Sequence, residues 1–173
     1  MIMSESTAIT EAKMQFVFGR YLLEIDVDKT RKFYQTAEKL TDGCTCSGCR
    51  NFEKAVDSFP EEVKQFFEEI GVSPEKSAEV FVNCAEDDKK NIFYGGFCHI
   101  CGKVLKGNSP WVPEGETAYR WETENTYQIA EGYKVGFENG GALIEDNFPE
   151  PVMQMEIEFH MPWVLQEEND YPG

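Results

Sequence analysis

Between Met153 and Met161 the side chains alternate without a break: Met153, Met155, Ile157, Phe159 and Met161 are apolar, while Gln154, Glu156, Glu158 and His160 are polar. A period of two belongs to a strand with one buried face, because successive side chains leave opposite sides of the pleat. One such strand cannot bury its apolar side alone, so the chain must supply neighbouring strands and a covering layer. The polar parity is expected to point outward, which would set Glu156, Glu158 and His160 side by side on the surface.

The remaining segments supply that layer. Met14–Val27 is rich in β-formers, with Val17, Tyr21, Leu23, Ile25 and Val27 on one parity and Glu24 and Asp26 on the other, and reads as a strand. A helix is predicted after it, with Asp28 as N-cap, Phe33, Ala37 and Leu40 at helical spacing and Gly43 just past its end. Phe52, Ala55, Val56 and Phe59 form an apolar stripe that starts from Asn51 and stops at Pro60; Val63, Phe66, Phe67 and Ile70 mark another, closed by Gly71. Ser73-Pro74 opens a short helical turn. Glu79–Cys84 and Asn91–His99 read as a hairpin whose second strand runs into Cys98. Residues 107–125 combine Pro, Gly, polar residues and two tryptophans and read as a long loop. Tyr127–Ala130 and Tyr133–Phe137 are short strands, and Asn139-Gly140-Gly141 is a turn. The pattern predicts one α+β domain over residues 14–173 after a flexible tail at 1–13. Its sheet is largely antiparallel, with two to three helices in the N-terminal half.

The chemistry-bearing feature is the cysteine pattern. GCTCSGCRNF at 43–52 holds Cys44, Cys46 and Cys49, and FCHICGK at 97–103 holds Cys98 and Cys101. Two C-x-x-C turns can each curl a pair of thiolates onto one tetrahedral Zn²⁺, so Cys46, Cys49, Cys98 and Cys101 are the expected ligands of a closed structural zinc site. Cys44 or His99 can substitute for one of them. The 48 intervening residues exceed the spacing of compact zinc modules, which requires a thiol loop tied to a hairpin tip within a larger domain. FCHICGK resembles a zinc knuckle. Gly48 and Gly102 would relax the turns, and Cys84, alternating with Val80 and Val82, reads as a core thiol. The competing reading is thiol–disulfide exchange or redox sensing, since Cys49 lies just before a predicted helix whose dipole lowers a thiol pKa. A thioredoxin-like device, however, sets its C-x-x-C between a strand and a helix, unlike the order predicted here.

His99 and His160 are the only histidines, and neither H-E-x-x-H nor G-x-S-x-G, a P-loop or G-x-G-x-x-G occurs, so no hydrolase or nucleotide-dependent activity is expected. Trp111, Trp121 and Trp163 read either as packing anchors or as contacts for a partner. The net charge is −16, and residues 107–173 hold 2 Lys/Arg against 14 Asp/Glu. That field repels nucleic acid and anionic membrane surfaces and suits a basic protein partner, which an outward Glu156, Glu158 and His160 would contact in the manner of an inhibitor or immunity protein. Without an apolar leader or span in the sequence, and with thiols suited to a reducing compartment, a cytoplasmic location is expected. The CRNF that begins a helix, the following FPEEVKQFFEEIG and the late MPWVL resemble a group of short bacterial proteins of unassigned function. That resemblance implies a bacterial cytosolic origin and nothing about activity.

Overall fold

Gly19-Arg20 interrupts what the sequence presents as one long strand. In the computed structural model, which describes residues 13–173, β1 (Met14–Phe18) and β2 (Tyr21–Ile25) form a hairpin about that turn, with Gly19 at φ +59°. Val17 is consequently exposed, while Tyr21, Leu23 and Ile25 are buried. Apart from Lys13, the expected tail at 1–13 lies outside the described residues.

The first helix, α1 (Val27–Thr36), is capped two residues earlier than expected: Asp26 Oδ1 accepts from the Lys29 backbone N–H at 3.0 Å, and Asp28 sits in the first turn. Such a cap stabilises a helix by roughly 0.5–2 kcal/mol. Ala37 ends α1, and Leu40–Gly43 forms a separate single turn, α2, so the predicted helix to Gly43 is broken in two. There follow α3 (Ser47–Ala55), a 3₁₀ turn at Val56–Ser58, and α4 (Glu61–Ile70), which Gly71 closes at φ +81° as expected. Pro74–Lys76 is the short turn predicted at Ser73-Pro74.

Strands β3 (Glu79–Glu86) and β4 (Asn91–Lys106) make the expected hairpin, but β4 runs on for sixteen residues, through and beyond the second cysteine pair. The segment 107–125 is not an unstructured loop: β5 (Trp111–Glu114) and β6 (Ala118–Trp121) form a small two-stranded sheet of their own. Strands β7 (Tyr127–Ala130), β8 (Tyr133–Asn139) and β9 (Val152–Pro162) complete the fold. The main sheet has seven strands in the order β1-β2-β4-β9-β8-β7, with β3 also paired to β4, and every pairing is antiparallel. This is the predicted α+β domain, with four helices in the N-terminal half where two to three were expected, because the first predicted helix is broken into α1 and α2. No described helix is long and apolar enough to cross a membrane.

The helices cover one face. Met153, Met155, Ile157, Phe159 and Met161 of β9 are all buried, as their parity requires, together with Ile92, Tyr94 and Ile100 of β4 and Val135 and Phe137 of β8. Against them pack Phe52 of α3 and Val63, Phe66, Phe67 and Ile70 of α4. Phe59 and Phe67 each meet Phe159 edge to face, at 5.7 and 6.1 Å between centroids.

A polar tie fixes α3 on this sheet. Tyr94, fully buried, donates its hydroxyl to Gly48 O at 2.8 Å and accepts from Asn51 Nδ2 at 3.1 Å, while its ring meets Phe52 edge-on. Asn51 also donates to Pro162 O and accepts from Val164 N. Tyr94→Phe keeps the ring and strands two buried polar partners, so equilibrium urea unfolding is expected to show a loss of about 1–3 kcal/mol. A loss within about 0.5 kcal/mol, the range of an inconsequential substitution, would contradict the role given to this hydroxyl.

Candidate metal centre

The start of α3 decides the local chemistry. The helix begins at Ser47 rather than at Asn51, which makes Cys46 its N-cap in extended geometry (φ −63°, ψ 158°). Cys46 Sγ accepts from the Cys49 N–H at 3.4 Å, and Cys44 Sγ lies 3.2 Å from it. The ligand atoms of Cys44, Cys46 and Cys49 all fall within 4.8 Å of one another. Three sulfurs this close can hold a metal ion. Cys44 and Cys46 are exposed and Cys49 is buried.

The surrounding chain holds the loop in this shape. Thr41 N and Oγ1 both donate to Glu53 Oε2, pinning α2 to α3. Arg50 Nε donates to Thr45 O at 3.0 Å, and its guanidinium pairs with Glu167. Gly48 is required by close approach: a Cβ there would lie 2.7 Å from the Tyr171 hydroxyl and 2.9 Å from Val82 Cγ2. That hydroxyl accepts from the Gly48 N–H.

The thiols are electrostatically unequal. Burial works to raise the Cys46 pKa, but hydrogen bonds from the Cys49 amide and from the Cys44 and Cys49 thiols outweigh it and hold the group below the ordinary thiol value. The Cys49 thiol is pushed far up by burial, reinforced by its hydrogen bonds to Cys44 and Cys46. The first C-x-x-C therefore pairs an accessible thiol of lowered pKa with a buried one of raised pKa, so that Cys46 ionises before Cys49.

Cys98 and Cys101 do not join this cluster. They lie within β4, where a separation of three residues sends side chains to opposite faces, so FCHICGK is continuous strand and not a turn at a hairpin tip. Cys98 is fully buried 3.0 Å from Ser77 Oγ, and burial raises its pKa to about 12. Cys101 Sγ lies 3.7 Å from Glu150 O, and its backbone is held by Asp26 N and Thr30 Oγ1 of the α1 entrance. Gly102 serves strand packing: a Cβ would come 2.2 Å from Glu24 O of β2. Cys84, expected in the core, is half-buried instead, because a register shift between Val82 and Cys84 breaks its alternation with Val80 and Val82.

Cys44 and Cys49 border a cavity of about 380 Å³ that His99 and Ser77 also line. His99 is committed elsewhere: its Nε2 lies 3.1 Å from Gln154 Oε1, and burial holds its pKa below the ordinary value despite that bond. The expected partner surface is corrected as well. Glu156 is buried, Glu158 and His160 are half-exposed, and His160 Nδ1 lies 2.7 Å from Glu86 Oε2. The hairpin of β5 and β6 covers this part of the sheet: Trp121 Nε1 donates to Glu158 Oε2 at 3.0 Å, and Pro110 sits where a Gly136 side chain would be. The three residues do not form an open acidic patch.

No family model, curated protein or solved structure matches the chain.

Limited alkylation checks the ordering of the thiols. With substoichiometric iodoacetamide at about neutral pH, peptide mapping is expected to find label on Cys46 and Cys44 before Cys49, Cys98 or Cys101, because the thiolate is the reactive form and only the first two are exposed. For Cys46 the lowered pKa carries that reactivity to more acidic pH than an ordinary thiol. Label on Cys98 at a comparable rate would contradict the burial described here.

Proposed function

We propose that this protein is a thiolate metal-binding protein that takes one Zn²⁺ on Cys44, Cys46 and Cys49 and leaves its fourth coordination position open. The observation that carries the reading is the convergence of three sulfurs within 4.8 Å, with no other cysteine, histidine or carboxylate joining them among the described residues. Zn–S bonds of about 2.3 Å put the sulfurs of a tetrahedral site about 3.8 Å apart, so metal entry needs only small adjustments of this loop. Helix dipole and amide hydrogen bonds at the α3 N-terminus favour the first thiolate, and the ion supplies the charge that ionises Cys49.

Three protein ligands and a vacant fourth position distinguish such a centre from the closed quartet expected from the sequence. Cys44 and Cys46 are exposed and a cavity opens beside Cys44 and Cys49, which leaves room for water or for a thiol, imidazole or carboxylate brought by another molecule to complete the tetrahedron. Binding would also lock α2 to α3 and add to stability in proportion to ln(1 + [Zn]/Kd).

The second reading is thiol–disulfide exchange, favoured by one observation: an acidic, exposed Cys46 thiol lies 3.2 Å from Cys44 and three residues before the buried Cys49. Both uses compete for the same sulfurs. Reconstitution with Co²⁺ under reducing conditions separates them. About one equivalent is expected, with thiolate-to-metal charge-transfer absorption and tetrahedral d–d bands. Cys46→Ser and Cys49→Ser should each weaken binding at least tenfold, and Cys98→Ser/Cys101→Ser should leave it unchanged. Equal dependence on Cys98 and Cys101 would restore the closed quartet. Failure of zinc and cobalt to bind, together with a reversible disulfide at Cys46, would replace the metal reading with the redox one.

A further inference from the structure

A second cavity, of about 360 Å³, lies on the outer side of the sheet where the β5–β6 hairpin crosses it. Its walls are aromatic: Phe81 of β3, Phe93 of β4, and Trp111 and Trp121 of the hairpin. The two tryptophans are register partners and meet edge to face, 5.0 Å apart at 76°. Phe81 is 45% exposed, and its ring rests on the β4 backbone because position 95 is glycine; a Cβ there would lie 2.4 Å from it. The rings are thus arranged around an opening that solvent and a ligand can reach.

Two carboxylates border the same space. Glu158, opposite Gly95 in register, accepts from Trp121 Nε1. Glu156 is only 5% exposed and accepts from Gln154 Nε2 at 2.5 Å, with a further hydrogen bond to Trp111. All these partners are neutral. Burial raises the Glu156 pKa, those hydrogen bonds offset part of the rise, and nearby Glu138 adds to it. Among the described residues neither Glu156 nor Glu158 is in an ion pair; Lys134 is the cross-strand neighbour of Glu158 but forms none with it. A carboxylate at a low-dielectric site without a counter-ion is costly, and the faces of tryptophan and phenylalanine rings attract cations.

We propose that this cavity binds an alkylated ammonium group, the occupant that satisfies walls and rim together. A hard metal cation would have to exchange its water for a full shell of oxygen ligands, and besides the aromatic walls only Glu156, Glu158 and Asn83 line the cavity to supply one. A primary ammonium is a compact, strongly hydrated charge, and the aromatic walls offer nothing to replace the water it would lose on entry. A trimethylammonium group carries its charge on a methyl surface, has no donor to satisfy, and presents that surface to the rings while the carboxylates neutralise it at short range. The shared chemistry has two sources, a free choline-like molecule or a methylated lysine on another protein.

The full chain carries its own probe, since Trp111 and Trp121 line the site. Their emission and the heat of binding are followed on titration with tetramethylammonium, choline, a peptide containing trimethyllysine, and dimethylbutanol, the neutral carbon isostere of choline, at constant ionic strength. Saturable binding of tetramethylammonium is expected, with the neutral isostere at least about tenfold weaker. Tighter binding of choline supports the small-molecule source, and tighter binding of the peptide supports the protein one. Glu158→Gln, which keeps an acceptor for Trp121, and Phe81→Leu, at an exposed position, are each expected to weaken binding about tenfold while melting as the parent chain does. No saturable response to tetramethylammonium, equal affinity for dimethylbutanol, or unchanged affinity in a folded Glu158→Gln variant would overturn the proposal.

Discussion

Everything else in this fold is placed by the backbone hydrogen bonding of β4. Along one edge it pairs with β9 from Asn91 to Cys101; along the other it pairs first with β3 and then, beyond Phe97, with β2. A strand with both edges paired and both faces covered leaves little room for side chains where its neighbours cross it. Glycine therefore appears where they press closest: a Cβ at Gly96 would lie 2.4 Å from Glu79 O, and one at Gly102 would lie 2.2 Å from Glu24 O. Because β4 also holds Tyr94, it carries the tie to Gly48 and Asn51 and so sets where the thiol-bearing start of α3 rests on the sheet.

Much of this was legible because it rests on periodicity. The β9 alternation, the apolar stripe of α4, the Gly71 cap and the β3–β4 hairpin all follow from side-chain direction and glycine chemistry, and the structure places each accordingly, whereas the stripe from Phe52 to Phe59 is divided between α3, which ends at Ala55, and the 3₁₀ turn after it. Expectation and structure part where a local motif conflicts with the pattern around it. The C-x-x-C spacing of Cys98 and Cys101 suggests a zinc-binding turn, yet IFYGGFCHIC is a nearly unbroken apolar run, the mark of a strand covered on both faces. In such a strand residues three apart diverge, which separates these two thiols. The triad of Cys44, Cys46 and Cys49 was visible as spacing, but the helix start at Ser47 was not, since cysteine is not among the residues that ordinarily announce an N-cap.

The outer face teaches a related lesson about alternation. A period of two states that Glu156, Glu158 and His160 leave β9 on the side opposite Met155 and Ile157; it does not state which side is wet. Here the segment predicted as a loop folds into its own hairpin and lies over the polar parity, anchored by Pro110 against Gly136 and by Ser109 Oγ on Glu138. Polar residues beneath such a cover must be satisfied internally, and indole N–H groups are suited to do so without adding charge. The cue lay in the same loop: two tryptophans within eleven residues need apolar cover, and the sheet is the nearest surface that offers it.

The two cavities are joined by one chain of side-chain hydrogen bonds, and that chain bears on the thiol site. His99, at the edge of the first cavity, meets Gln154 Oε1, which also accepts from the Ala142 N–H; Gln154 Nε2 then donates to Glu156 at the edge of the second. An amide oxygen can only accept, so His99 Nε2 must carry the proton and is not a lone pair available to a metal. Turning the imidazole toward the sulfurs would remove a donor from Gln154 and loosen the amide that holds a buried carboxylate, at a cost of about 1–3 kcal/mol for each polar group left unpaired. The hydrogen bonding that orients Glu156 thus also keeps His99 engaged with Gln154, while Cys44, Cys46 and Cys49 converge among the described residues without a histidine.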